Sequence, residues 1–106
     1  EGASEWRICS HDEFALVMDG EVEFRFIKPD DASLVPPPEK EGSVALSGEP
    51  TGARMGMVRA RNGHMTLLPA GGAYQLKADR PGVVMLQTIA GDDTVYKWAE
   101  ICRTIP

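Results

Sequence analysis

Histidine and cysteine are both scarce in this chain, two of each in 106 residues. Two histidines cannot furnish three imidazole ligands, so a three-histidine metal site within one chain is excluded by arithmetic. Cys9 and Cys102 lie far apart and form no CxxC pair, so they make no disulfide framework. Both are expected to be small buried apolar residues, which points to the cytoplasm. Basic clusters are lacking too. Eleven Lys and Arg are scattered among sixteen Asp and Glu, giving a net charge of −5. Phosphate backbones are bound by clustered cations, so nucleic acid is not an expected partner. No stretch approaches the roughly 18 apolar residues of a membrane-spanning helix. The chain opens at Glu1 with no charged and then apolar leader. The expectation is a chain with no intact signal peptide and without its natural start.

What is present is ordinary for a soluble globular protein. Apolar residues make up 42% and charged residues 25%, and the length fits one domain spanning 1–106. Glu13 to Met18 is a compact apolar run, followed by the turn pair Asp19-Gly20. Glu21 to Phe26 then alternates strictly, with Val22, Phe24 and Phe26 on one face. The spacing predicts a hairpin with one buried side. Met55–Arg61 and His64–Leu68 read as strands around a second hairpin turn, Asn62-Gly63. Ala73–Ala78 and Val83–Ile89 are further strands, separated by Pro81-Gly82. Met55, Met57, Met65 and Met85 are expected in the core.

Two segments depart from this pattern. Residues 28–53 form a Pro-rich insertion containing Pro29, Pro36-Pro37-Pro38 and Pro50, within which Val44-Ala45-Leu46 could make a small strand. Loops this long are uncommon in compact domains unless functional or mobile, so the segment is either a surface insertion or else a lid or a docking arm for a partner subunit. Near 93–103, Val95, Trp98 and Ile101 or Cys102 recur at helical spacing after Asp92, Asp93 or Thr94, any of which could cap a helix. A C-terminal helix packed on the outside of the strands is expected there.

Two spacings are more specific. Glu13-x6-Gly20 matches the end of one motif of the cupin superfamily. Gly63-x5-Pro69-x-Gly71-x2-Tyr74 is similar to the other, with Tyr74 where the family usually carries a histidine and Ala78 where an asparagine falls. The family's paired His-x-His is absent, and only His11 remains, two residues before Glu13. The resemblance covers Trp6 to Ile89. It implies an all-β cupin (jelly-roll, double-stranded β-helix) barrel, here with a C-terminal helix. The family site is three histidines and a glutamate inside the barrel, a set suited to Fe(II), Mn(II), Ni(II) or Zn(II).

The candidate site residues are therefore His11, Glu13 and Tyr74. His11 and Glu13 share strand parity and could both point inward, as a reduced metal site or as ligand-binding groups. Tyr74, if buried, needs a partner for its hydroxyl, and Glu13 across the barrel is the candidate. Such a pair could bind or protonate a small polar molecule, or it could fill a vacated metal site as a structural bond. His64 is expected at the rim.

A narrower resemblance follows. HDEFALVMDGEVEFRFIK, GHMTLLPAGGAYQL and LQTIAGDDTVYKWAEIC look similar to the small subunit of hydroquinone-type ring-cleaving dioxygenases. That resemblance implies aromatic-compound catabolism with Fe(II) carried on a larger cupin subunit, no metal or other cofactor on this chain, and partner docking by the Pro-rich insertion and the C-terminal helix. The alternatives are a stand-alone cupin that binds a small molecule, or a cupin enzyme with a metal on His11 and Glu13, either of them as a homodimer.

Overall fold

A computed structural model of the chain describes residues 2–90 and 93–101, with side chains through Gln87. The described elements are β1 (Gly2–Ala3), β2 (Arg7–Ile8), β3 (Glu13–Asp19), β4 (Glu21–Pro29), a short 3-10 turn (Ala32–Leu34), β5 (Val44–Ala45), β6 (Gly52–Arg61), β7 (Met65–Leu68), β8 (Ala73–Ala78), β9 (Gly82–Ala90) and β10 (Asp93–Ile101). They form two antiparallel sheets. The first has the order β5-β2-β8-β4-β6 with β1 beside β8, and the second has the order β10-β9-β3-β7. This is the nearly all-β arrangement that the cupin resemblance implies.

The core lies between the sheets. Strict alternation in β4 sends Val22, Phe24 and Phe26 inward. They meet Tyr74, Leu76 and Ala78 of β8, Ala15 and Val17 of β3, Leu68 of β7, and Val84 and Leu86 of β9. Each large apolar side chain fully buried here contributes roughly 1.5–3 kcal/mol. A second cluster of Trp6, Ile8, Ile27 and Ala73 packs with Val35, Val44 and Leu46. Ala73 precedes the inward Tyr74, so this cluster sits on the opposite face of the first sheet.

Four expectations are corrected. Asp19-Gly20 reverses the chain, but β3 and β4 do not pair. β3 belongs to the second sheet and β4 to the first. Asn62-Gly63 likewise carries the chain from β6 to β7 across the sheets. A tight turn fixes a reversal, whereas the choice between pairing and crossing is set by which sheet can bury each strand. Gly20 at φ 95° and Gly63 at φ 84° take the left-handed conformation that these corners require.

The C-terminal helix is the second correction. Residues 93–101 form β10, paired with β9 from Asp93 opposite Ala90 to Ile101 opposite Gly82. Val95, Tyr96, Trp98 and Ile101 are strand formers, and β9 would otherwise lack a neighbour on that side. Cys102 and residue 103 of the expected helix lie outside the described residues.

The methionines are the third. Met55, Met57 and Met65 are 48%, 57% and 61% exposed, because β6 and β7 are the edge strands of their sheets. Met85 is half-buried. The fourth concerns the insertion, which is shorter than expected. β4 runs through Pro29 and β6 begins at Gly52. Its Val44–Ala45 segment pairs with β2, and Leu46 N–H donates to Trp6 O at 2.8 Å. Val35, Val44 and Leu46 give the insertion an apolar underside against the second cluster.

Candidate functional site

Glu13 begins β3 with the inward parity of Ala15 and Val17, and it is 0% exposed. Tyr74 lies on β8, also inward and 1% exposed. The Tyr74 hydroxyl donates to Glu13 Oε1 at 2.8 Å across the two sheets. The turn that delivers Tyr74 is built by Pro69-Ala70-Gly71-Gly72. Gly72 N–H donates to Pro69 O at 3.1 Å, and Gly71 sits at φ 79° in the third position, a type II turn. The turn is pinned to the strand leading into β3, since Ala70 N–H donates to Asp12 Oδ1 at 2.8 Å and Gly71 N–H to Cys9 O at 2.9 Å. Motif residues thus set the height at which Tyr74 and Glu13 meet.

Burial, more than anything else, raises the Tyr74 pKa well above the ordinary phenol value. The Glu13 charge raises it further, while hydrogen bonding by Ser43 and the charge of Arg7 partly offset this. A general acid or base works best with a pKa near the working pH. Tyr74 is instead held as a permanently protonated donor, which suits orientation and structure rather than proton transfer.

Arg7 and Ser43 were not signalled by any motif. Arg7 pairs in register with Tyr74. Its Nε donates to Ser43 Oγ at 2.6 Å and an Nη to Ser43 O at 3.1 Å. Ser43, from the insertion, is 4% exposed. The insertion therefore reaches the buried pair through one serine. No sequence signal marks it, because its position follows from the pairing of β5 with β2. Arg7→Ala is expected to cost about 1 kcal/mol of unfolding free energy, the worth of the lost hydrogen bonds in a half-buried setting. Urea unfolding of the two proteins checks it; an unchanged midpoint would show that the insertion is held by its apolar underside alone.

His11 does not join the pair in the hydrogen bonding. Its Nε2–H donates to the Pro38 carbonyl at 2.7 Å, on the insertion. His64 is exposed at the corner after β6, where its Nδ1 accepts from Arg61 N–H at 3.0 Å. Iron of the cupin type needs several imidazoles and a carboxylate converging on one point. Both histidines here are engaged elsewhere, Glu13 accepts from a phenol, and no group of three His, Cys, Asp or Glu converges among the described residues. The donor set does not fit such a centre. Neither a 1220 Å³ groove bordered by Arg25, Arg59 and Lys77 nor a 340 Å³ cavity beside Trp6 and Phe26 is lined by Glu13 or Tyr74.

No protein-family model matches the chain, and no curated protein matches it. Solved structures do. A hydroquinone 1,2-dioxygenase from Sphingomonas sp. TTNP3 with 4-hydroxybenzoate bound is 43% identical with a TM-score of 0.78, over 86% of this chain and 55% of that one. Hydroquinone 1,2-dioxygenase PnpCD, in complex with Cd2+ and 4-hydroxybenzonitrile, is 48% identical with a TM-score of 0.74, over 87% and 54%. The chain spans about half the length of these chains. No helix among its described residues is long and apolar enough to cross a membrane.

Proposed function

From the premise that this chain is a cupin-type relative of hydroquinone 1,2-dioxygenase chains, we propose that it is the accessory small subunit of a two-component aromatic-ring-cleaving dioxygenase. The catalytic Fe(II) then sits on a larger cupin subunit, and this chain completes the assembly. The observation that carries the reading is one of combination. Identity of 43–48% to dioxygenase chains occurs in a chain whose inward glutamate is hydrogen-bonded to a tyrosine instead of standing among histidines. Glu13 and Tyr74 then act as a buried brace that holds the two sheets at fixed separation. The exposed outer part of the insertion, residues 37–41, is the arm offered to the larger subunit.

The test is reconstitution. This chain, supplied with Fe(II), oxygen and hydroquinone, is expected to consume no oxygen alone. The larger metal-bearing cupin subunit of such an enzyme is expected to gain ring-cleaving turnover when this chain is added, and the two should co-elute. Ring cleavage by this chain alone, or failure to co-elute with the larger subunit, overturns the reading. Stoichiometric metal in this chain that His11→Ala removes would favour a metal site on His11 and Glu13 instead.

A further inference from the structure

On the outer face of the first sheet, the cover supplied by the insertion stops short. Val35, Val44 and Leu46 pack over the cluster of Trp6, Ile8, Ile27 and Ala73. Further along β4 and β6 runs a ladder of ion pairs among Glu21, Glu23, Arg25 and Arg59. Between the two is the 340 Å³ cavity, lined by Trp6, Ile27 and Met57 together with Arg25, Arg54 and Glu49. Trp6 and Ile27 are buried and form its floor, while Met57, Arg54 and Glu49 are exposed at its opening. A β-bulge builds the site. Phe26 pairs with Gly56 and Ile27 pairs with Arg54, so Met55 is an extra residue in β6. Without it, Arg54 would share the inward parity of Gly56 and Val58. The extra residue turns Arg54 to the outer face beside Ile27, the re-aiming for which bulges are used. Gly56 takes φ 114°, and nothing lies within 4 Å of where its Cβ would stand. The strand therefore bends at the cavity without adding a side chain to the opening.

Two opposite charges at this opening have no partner. Among the described residues, Arg25 is held by Glu23, whereas Arg54 and Glu49 form no ion pair with each other or with any other side chain. We propose that the cavity is a binding site for a free aromatic amino acid. Its ring lies against Trp6, Ile27 and Met57, its carboxylate on Arg54 and its ammonium on Glu49. The volume sits at the lower end of the ~300–1,000 Å³ of small-molecule sites, room for one ring with a short arm. An indole and a thioether both pack favourably on an aromatic ring. A guanidinium grips a carboxylate through two parallel hydrogen bonds, and a carboxylate accepts from an ammonium. Charge selects this class over other single-ring molecules. An aromatic acid without an amine would leave Glu49 unmatched beside its own negative charge. An aromatic amine without an acid group would do the same to Arg54. Only a ligand that carries both charges satisfies both groups. The assignment concerns this chain alone and does not rest on the role proposed above.

An NMR titration of the isotope-labelled chain with L-phenylalanine tests the proposal. Binding is expected with a Kd of about 1 mM, ordinary for a ligand of this size. The resonances that move should be those of Trp6, Ile27, Gly56 and Met57. Arg54→Ala and Glu49→Gln are each expected to weaken binding about 10-fold, the worth of one charge-assisted contact. Both side chains are exposed, so the circular dichroism of the variants should match wild type. Arg54→Gln is the second variant should Arg54→Ala perturb folding. Benzoate and phenethylamine each carry one of the two charges, and each is expected to bind wild type about 10-fold more weakly than phenylalanine. Alanine, which lacks the ring, should not bind. Arg61→Ala, in the separate groove beside Asp19 and Asp79, should leave binding unchanged. Absence of shifts at about 10 mM, tenfold above the expected Kd, would overturn the proposal. So would shifts scattered away from the cavity, or Arg54 and Glu49 variants that bind as wild type does. Benzoate binding as tightly as phenylalanine would overturn it too, since the site would then take any aromatic acid. Failure of the reconstitution described above would sink the proposed function and leave this site standing.

Discussion

Tyr74→Phe is expected to lower the unfolding free energy by about 2 kcal/mol near neutral pH. The substitution removes one oxygen and leaves a fully buried carboxylate short of a donor it had at 2.8 Å. Losing a buried hydrogen bond to a charged group has a cost of this size. A second signature appears in alkali. The folded-state pKa of Tyr74 is raised, so the folded protein keeps the phenol proton where the unfolded chain releases it. The unfolded chain begins to lose it near pH ~10. Stability from this group is therefore complete below about pH 10 and falls by about 1.4 kcal/mol per pH unit above it, until the folded phenol itself titrates. Denaturant unfolding at about pH 9 and about pH 11 should thus show a steeper alkaline loss in wild type than in Tyr74→Phe. Equal stability at neutral pH together with equal alkaline slopes would mean that the brace does not form.

Gly82→Ala is expected to cost about 3 kcal/mol, the upper range for forcing extra atoms into a packed site. An added Cβ would lie 2.6 Å from the Asp19 carbonyl oxygen and 3.6 Å from the Gly20 Cα. Both are backbone atoms at the corner where β3 hands the chain to β4, so neither can swing aside as a side chain would. Gly48→Ala is the control, since nothing lies within 4 Å of its Cβ position, and it should change stability little. A Gly82→Ala protein that melts with the wild type would show that the β8–β9 corner can open without loss.

Local chemistry was legible in the sequence, and the partnering of strands was not. Alternation over Val22, Phe24 and Phe26 identified the inward face of β4, because period two has only one structural meaning. Gly20, Gly63 and Gly71 marked turns, and all three take positive φ. The Glu13–Tyr74 bond was legible as a candidate, since a buried phenol needs a partner and the motif resemblance set Glu13 across the barrel from it. Hairpins at Asp19-Gly20 and Asn62-Gly63 were misread because a turn sequence says nothing about which sheet receives each arm. Around Trp98, apolar residues fit a spacing of three or four as well as one of two, and the need of β9 for a neighbour decided it. Methionine composition suggested core, yet Met55, Met57 and Met65 fell on edge strands. Ser43 and Arg7 stayed hidden because their meeting depends on the β2–β5 pairing, 36 residues apart.

The alternation of successive strands between sheets also bears on how the protein reaches its native state. Among the ladders of the described residues, only β9 with β10 joins strands consecutive in the chain. Every other pairing closes a long stretch of polypeptide before its first hydrogen bond forms, and the Tyr74–Glu13 contact closes 61 residues. Such topologies fold in milliseconds to seconds rather than microseconds, because loop entropy must be overcome before contacts reward it. On the ribosome, β2 has no neighbour until β5 emerges and lacks its second until β8 does, and β3 waits in the same way for β7 and then β9. For most of its synthesis the protein therefore displays unsatisfied strand edges and the apolar residues of β3 and β4 together, and its exposure to wrong partners is greatest in the cell before its barrel has closed.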